Sequence, residues 1–302
     1  MLETLLGFVF VAVWQAADMA GAGLEAHVAL AAPRAPAALI VGRARCRGHS
    51  WLVTDDGELV DITTHPPTLA IHRMAGLAKG ERPWGLACLA SDGSLWTMLD
   101  ARVLARVGPD GSVLARAGVP RPRVGLFGVA DLLLAQELPV APGAPALIAH
   151  ERERSTDRRP WPGLTLRKAG SLEDELTRNL VACGLPLGRT LPCWFADEHR
   201  VAASDGTSTD RLSFDSSDFT FSDPLVPVWD VALVRDGLWL LATSARAENG
   251  HRVGGRLYRV DARGRARASI NLQPAARLIV SATADGCVLL VADGRLVEVL
   301  WR

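Results

Sequence analysis

Trp84-Gly-Leu-Ala-Cys-Leu-Ala-Ser-Asp-Gly-Ser-Leu-Trp96 and Trp229-Asp-Val-Ala-Leu-Val-Arg-Asp-Gly-Leu-Trp239 read as two copies of one β-hairpin. In each, a short apolar run enters an Asp-Gly turn and a second run leaves it through a tryptophan. Asp-Gly tolerates the positive φ that a tight hairpin turn demands, so between apolar runs it is a strong local hairpin signal. The dipeptide occurs seven times, at Asp56, Asp92, Asp110, Asp205, Asp236, Asp285 and Asp293. The two copies stay alike downstream. Leu104-Ala-Arg106-Val107 followed by Gly111 matches Leu257-Tyr-Arg259-Val260 followed by Gly264 in type and spacing. A third pair, Gly57-Glu-Leu59-Val-Asp-Ile62 and Gly294-Arg-Leu296-Val-Glu-Val299, lies at opposite ends of the chain.

The leucines of these strands, Leu59, Leu104, Leu257 and Leu296, serve as a ruler. The long gap between Leu104 and Leu257 holds three repeats, and the mean repeat is about 47 residues, the length of a four-stranded antiparallel propeller blade. Six repeats follow. The two leucine-equivalent strands not seen directly are expected at Ala146-Leu-Ile-Ala149 and Arg211-Leu-Ser-Phe214. The chain stops after the third strand of its last repeat. A propeller completes such a blade with a strand from the other terminus, and Glu25–Leu30 is the candidate, which would put Val28 and Val299 in neighbouring strands. Residues 139–192 carry seven prolines, a charged stretch from His150 to Arg159 and an expected helix from Ser171 to Val181, and read as an irregular insertion. The fold expected is therefore all-β: a six-bladed β-propeller of four-stranded antiparallel blades, its ring closed by an N-terminal strand, with one irregular insertion containing a short helix.

Composition narrows the function classes. The 302 residues carry 33 basic and 33 acidic side chains, with 49% hydrophobic and 22% charged residues. That balance gives no basic excess for nucleic acid and too much apolar content for a disordered chain. Leu5–Trp14 is an apolar run ending at Gln15 and Asp18, and Ala20-Gly-Ala22 offers a signal-peptidase pattern. Residues 1–22 thus read as a signal peptide or N-terminal anchor, leaving 23–302 as a single domain. The only membrane contact expected is through that segment, left uncleaved. The five cysteines lack the close pairing of a metal knuckle or redox motif. Cys183 and Cys193 bracket a Pro/Gly loop that an oxidising compartment would let close as a disulfide, whereas Cys46, Cys88 and Cys287 read as small hydrophobes in strands.

On its Trp-led hairpins, Asp-Gly turns and Leu-x-Arg-Val strands, the chain from Glu25 to Arg302 resembles the six-bladed β-propeller superfamily that includes NHL-repeat, gluconolactonase-like and strictosidine-synthase-like proteins. The motifs point to no subgroup. Gluconolactonase-like members hold a divalent cation with Glu, Asn and Asp around the funnel. This chain departs from that pattern, since it has only Asn179, Asn249 and Asn271, none placed on an inner strand. The acidic run from Asp205 to Asp223 lacks calcium-loop spacing, the histidines form no metalloprotease motif, and no serine sits in a nucleophile elbow. No metal, cofactor or catalytic residue is expected.

The reading that remains is a non-catalytic, exported propeller that presents a rigid face to a protein partner or other extracellular macromolecule. The alternatives are a diverged metal-dependent hydrolase and an accessory subunit of a membrane-bound complex. The candidate binding patch is Arg152, Arg154, Arg158, Arg159 and Trp161, where guanidinium groups flank an aromatic ring.

Overall fold

The computed structural model describes residues 24–28, 40–64, 67–89, 92–100, 102–118, 123–129, 132–137, 147–151, 165–167, 180–188, 190–195, 200–204, 209–213, 219, 228–243, 254–291 and 294–301. Every element among them is a strand. In chain order these are β1 (Leu24–Val28), β2 (Ile40–Cys46), β3 (His49–Thr54), β4 (Glu58–Thr64), β5 (Pro67–Arg73), β6 (Pro83–Cys88), β7 (Leu95–Leu99), β8 (Val103–Val107), β9 (Val113–Gly118), β10 (Arg123–Val129), β11 (Leu132–Glu137) and β12 (Leu147–Glu151). They continue with β13 (Thr165–Arg167), β14 (Leu180–Cys183), β15 (Leu191–Phe195), β16 (Arg200–Ser204), β17 (Thr209–Ser213), β18 (Val228–Val234), β19 (Gly237–Thr243), β20 (Gly254–Asp261), β21 (Ala266–Ala282), β22 (Gly286–Val291) and β23 (Leu296–Trp301).

Four antiparallel sheets of four consecutive strands, β2–β5, β6–β9, β10–β13 and β14–β17, precede a seven-stranded sheet ordered β1-β23-β22-β21-β20-β19-β18. That last sheet is a double unit. The unusually long β21 pairs with β20 through residues 266–271 and with β22 through residues 276–282. The first strand of each unit is distorted in one common way. One extra residue bulges at or beside the strand's start, at Val41, Gly85, Val124, Val181, Trp229 and Arg277. A bulge bends its strand and raises the local twist, which suits strands crowded at the centre of a radial array.

The ruler leucines all fall on third strands: Leu59 on β4, Leu104 on β8, Leu257 on β20 and Leu296 on β23. Ala146–Ala149 overlaps β12, the third strand of its sheet. Arg211–Phe214 does not hold that place. It overlaps β17, a fourth strand, and the third strand is β16, whose Arg-Val-Ala-Ala-Ser sequence carries no leucine for the ruler to find. Leu180 and Val181, expected to end a helix, begin β14, and residues 171–179 lie outside the described residues. Strands β12, β13 and β14 belong to residues 139–192, so this stretch adds strands to two sheets. At the N-terminus, β1 pairs antiparallel with β23, with Ala26 opposite Val299 and Val28 opposite Val297. Residues 1–22 lie outside the described residues.

Core side chains fill the spaces between sheets. Ala44, Trp51 and Leu59 of the first sheet pack with Leu86, Leu95 and Val107 of the second. Ala87, Trp96 and Met98 of the second pack with Leu126 and Leu133 of the third. Val201 packs with Val231, Leu240 and Tyr258, and Trp239, Leu241 and Leu257 pack with Ile279, Leu289 and Val299. Leu52, Val60 and Ile62 of the first sheet then pack with Val280, Val288, Leu290 and Leu296 of the last strands. Each burial of a large aliphatic chain contributes about 1.5–3 kcal/mol, so these interfaces hold neighbouring sheets face to face. Trp51, Trp96 and Trp239 lie in such interfaces, while Trp84 is 44% exposed.

Candidate functional site: the axial cavity

The bulged first strands run beside one another. Glycine lets them approach closely. A Cβ on Gly42 would lie 2.4 Å from the Gly85 carbonyl carbon, one on Gly128 would lie 2.1 Å from the Cys88 oxygen, and one on Gly184 would lie 1.9 Å from the Val231 oxygen. The Gly184-Leu185 turn is hydrogen-bonded to β18, Leu185 N–H donating to the Val231 carbonyl at 2.9 Å. Together β2, β6, β10 and the β14–β15 connection enclose a cavity of about 240 Å³. Its wall is mostly backbone and aliphatic side chain, with two cations, Arg43 and Arg45.

Residues two apart on a strand share a face, which puts both guanidinium groups on one side of β2. Arg43 makes three hydrogen bonds. It forms a bidentate ion pair with Asp230 of β18 and donates to the Ile279 carbonyl of β21 at 2.7 Å. Asp230 also accepts the backbone N–H groups of Val231 and Ile279, each at 2.7 Å. The carboxylate is 3% exposed, so four hydrogen bonds replace its water. Strands β2, β18 and β21 are tied together at one point. Arg45 has one partner among the described residues, the Ala282 carbonyl at 3.2 Å.

A Cys46–Cys88 disulfide joins β2 to β6 beside the cavity, with 5.7 Å between Cα atoms. This corrects the expectation that both cysteines are free hydrophobes. Their 42-residue separation concealed a pairing that exists only because two first strands lie side by side. Cys287 is a buried free thiol. Cys183 and Cys193 are directly opposite in the β14–β15 ladder. Arg152, Arg154, Arg158, Arg159 and Trp161 lie outside the described residues. Among the described residues no three His, Cys, Asp or Glu side chains cluster as metal ligands, and no helix is long and apolar enough to cross a membrane.

Sequence reading missed Arg43, Arg45 and Asp230. One signal was available. In the two hairpin copies Trp84-Gly85 aligns with Trp229-Asp230, so a carboxylate replaces glycine in an otherwise apolar strand.

Four-stranded antiparallel sheets, first strands β2, β6 and β10 around one cavity and face-to-face packing define the class: the chain is a β-propeller. No known protein family's model and no curated protein sequence matches it. Solved structures do. A catalytically inactive virginiamycin B lyase from Staphylococcus aureus, crystallised with quinupristin, superposes with a TM-score of 0.53 at 10% identity, covering 98% of this chain and 97% of the lyase. The PQQ-bound aldose sugar dehydrogenase of Streptomyces coelicolor gives 0.54 at 13% identity, covering 92% of this chain and 98% of the enzyme. A candidate exported protein from Bacteroides fragilis gives 0.55 at 8% identity, covering 92% and 95%. Likeness at these identities establishes the fold alone.

Proposed function

We propose that this chain is a non-catalytic, exported, six-bladed β-propeller that binds a protein or other macromolecule through one loop-bearing face. The observation that carries the reading is the commitment of the buried carboxylate beside the cavity, Asp230, to structure. The place where a propeller enzyme would gather reactive groups holds a carboxylate consumed by Arg43 and two backbone amides. What is left to the molecule is a rigid platform. Six bladed units are supported by the six bulged first strands. Closure by β1 is supported by its pairing with β23 and by the core shared between the first sheet and the last strands. Export is supported by the Cys46–Cys88 disulfide, since such bonds persist in oxidising compartments, and fits the apolar run at Leu5–Trp14.

A second disulfide, Cys183–Cys193, belongs to the same reading. Gly184 N–H donates to the Pro192 carbonyl at 2.8 Å, which makes the adjoining Cys183/Cys193 pair a non-hydrogen-bonded one. Such pairs have Cα atoms about 4.5 Å apart, within disulfide reach. The Arg152, Arg154, Arg158, Arg159 and Trp161 segment is the patch assigned to the partner.

The test is the thermal midpoint of the mature chain with and without calcium, magnesium, manganese and zinc. A ligand bound only by the folded state must raise it. No rise is expected with any ion. A saturable rise with one of them would overturn the non-catalytic reading in favour of a metal-dependent hydrolase.

A further inference from the structure

Arg45 is the group in the axial cavity that the fold does not use up. A guanidinium carries five N–H donors in a planar fork, and Arg45 spends its one described hydrogen bond on the Ala282 carbonyl. Its neighbour Arg43 is neutralised by Asp230. Among the described residues, two cations against one carboxylate leave one positive charge in excess at the cavity. No carboxylate stands among the described residues that line it. A cation held partly away from water is stabilised by an anion that matches its fork, and a carboxylate does so with two parallel bonds. The rest of the wall sets the body of the ligand. Leu86, Ala87, Leu126 and Leu191 are apolar and buried. At about 240 Å³ the space lies below the range of roughly 300–1,000 Å³ that holds drug-sized ligands. Trp84, 44% exposed, forms part of the wall that meets solvent.

We propose that the axial cavity binds a small organic monocarboxylate with an apolar body, its carboxylate on Arg45 and its hydrocarbon part against the apolar wall that includes Trp84. One negative charge matches the one uncompensated cation, and the aliphatic wall favours an acid with a hydrophobic body over inorganic phosphate. The two proposals rest on different residues, so the failure of either leaves the other standing.

Benzoate and isovalerate are the probes, with benzamide as the neutral isostere and inorganic phosphate as the competing anion. Each is titrated into the full chain while the thermal midpoint and the heat of binding are followed. Benzoate or isovalerate should raise the midpoint saturably, benzamide and phosphate should not, and Arg45→Lys should weaken carboxylate binding about tenfold by removing the fork. Arg45→Met should abolish it. The proposal is overturned if neither carboxylate binds, if benzamide binds as well as benzoate, if phosphate binds in place of both, or if the Arg45 variants bind unchanged. Should Arg45→Met fail to fold, the comparison of acid with amide on the unaltered chain and the Arg45→Lys titration decide the matter.

Discussion

Asp230 and Arg43 are 187 positions apart, yet each is the other's principal partner. Taking both from water is costly, and a buried ion pair often contributes little net stability compared with an apolar pair of the same shape. Removing one member alone is different, because the survivor stays buried without compensation. Asp230→Ala should therefore destabilise the fold by about 3–5 kcal/mol in denaturant unfolding. The double variant Arg43→Met/Asp230→Leu should recover most of that loss, giving a coupling energy of at least about 1 kcal/mol in a double-mutant cycle. Additive losses would show that the pair does not act as one unit. The sequence marks Asp230 as a departure from the hairpin repeat but holds no trace of its partner, since nothing local records which strands meet at an axis.

At the scale of strands, much was legible because the signals are local. Asp-Gly turns and Leu-led strands repeat with the chain, and Leu59, Leu104, Leu257 and Leu296 all landed on third strands. The fourth sheet escaped the ruler because β16 has alanines where the others have leucine. The Cys46–Cys88 bond escaped because it joins two sheets, and its worth depends on the loop it closes. Over 42 residues that constraint on the unfolded chain is worth about 4 kcal/mol. Burial pushes the Cys287 thiol well above its usual range, so in the native protein it should not react with a thiol reagent. Denatured without reductant, the chain should show one reactive thiol of its five cysteines. Three would mean that one bridge is open, with peptide mapping of the labelled cysteines showing which, and five would overturn both.

At the scale of the whole molecule, the proposed ring rests on its ends meeting. The shared core of Leu52, Val60 and Ile62 with Val288 and Leu290 joins the first sheet to the last strands, beside the hydrogen bonds of Arg43 and Arg45 to β18 and β21. Strand β1 adds the backbone half of that junction, covering the edge of β23 that would otherwise be open to pairing with another chain. The pairing of β1 with β23 was legible in a last repeat that lacks a fourth strand. How the axis is filled was not, because the groups that meet there come from separate repeats. The most direct test is hydrogen exchange of two chains, one beginning at residue 23 and one at residue 31. Loss of β1 should deprotect the amides of Leu296–Trp301 and lower the thermal midpoint. Equal protection of Leu296–Trp301 in both chains, with an unchanged midpoint, would contradict a ring closed by its N-terminal strand.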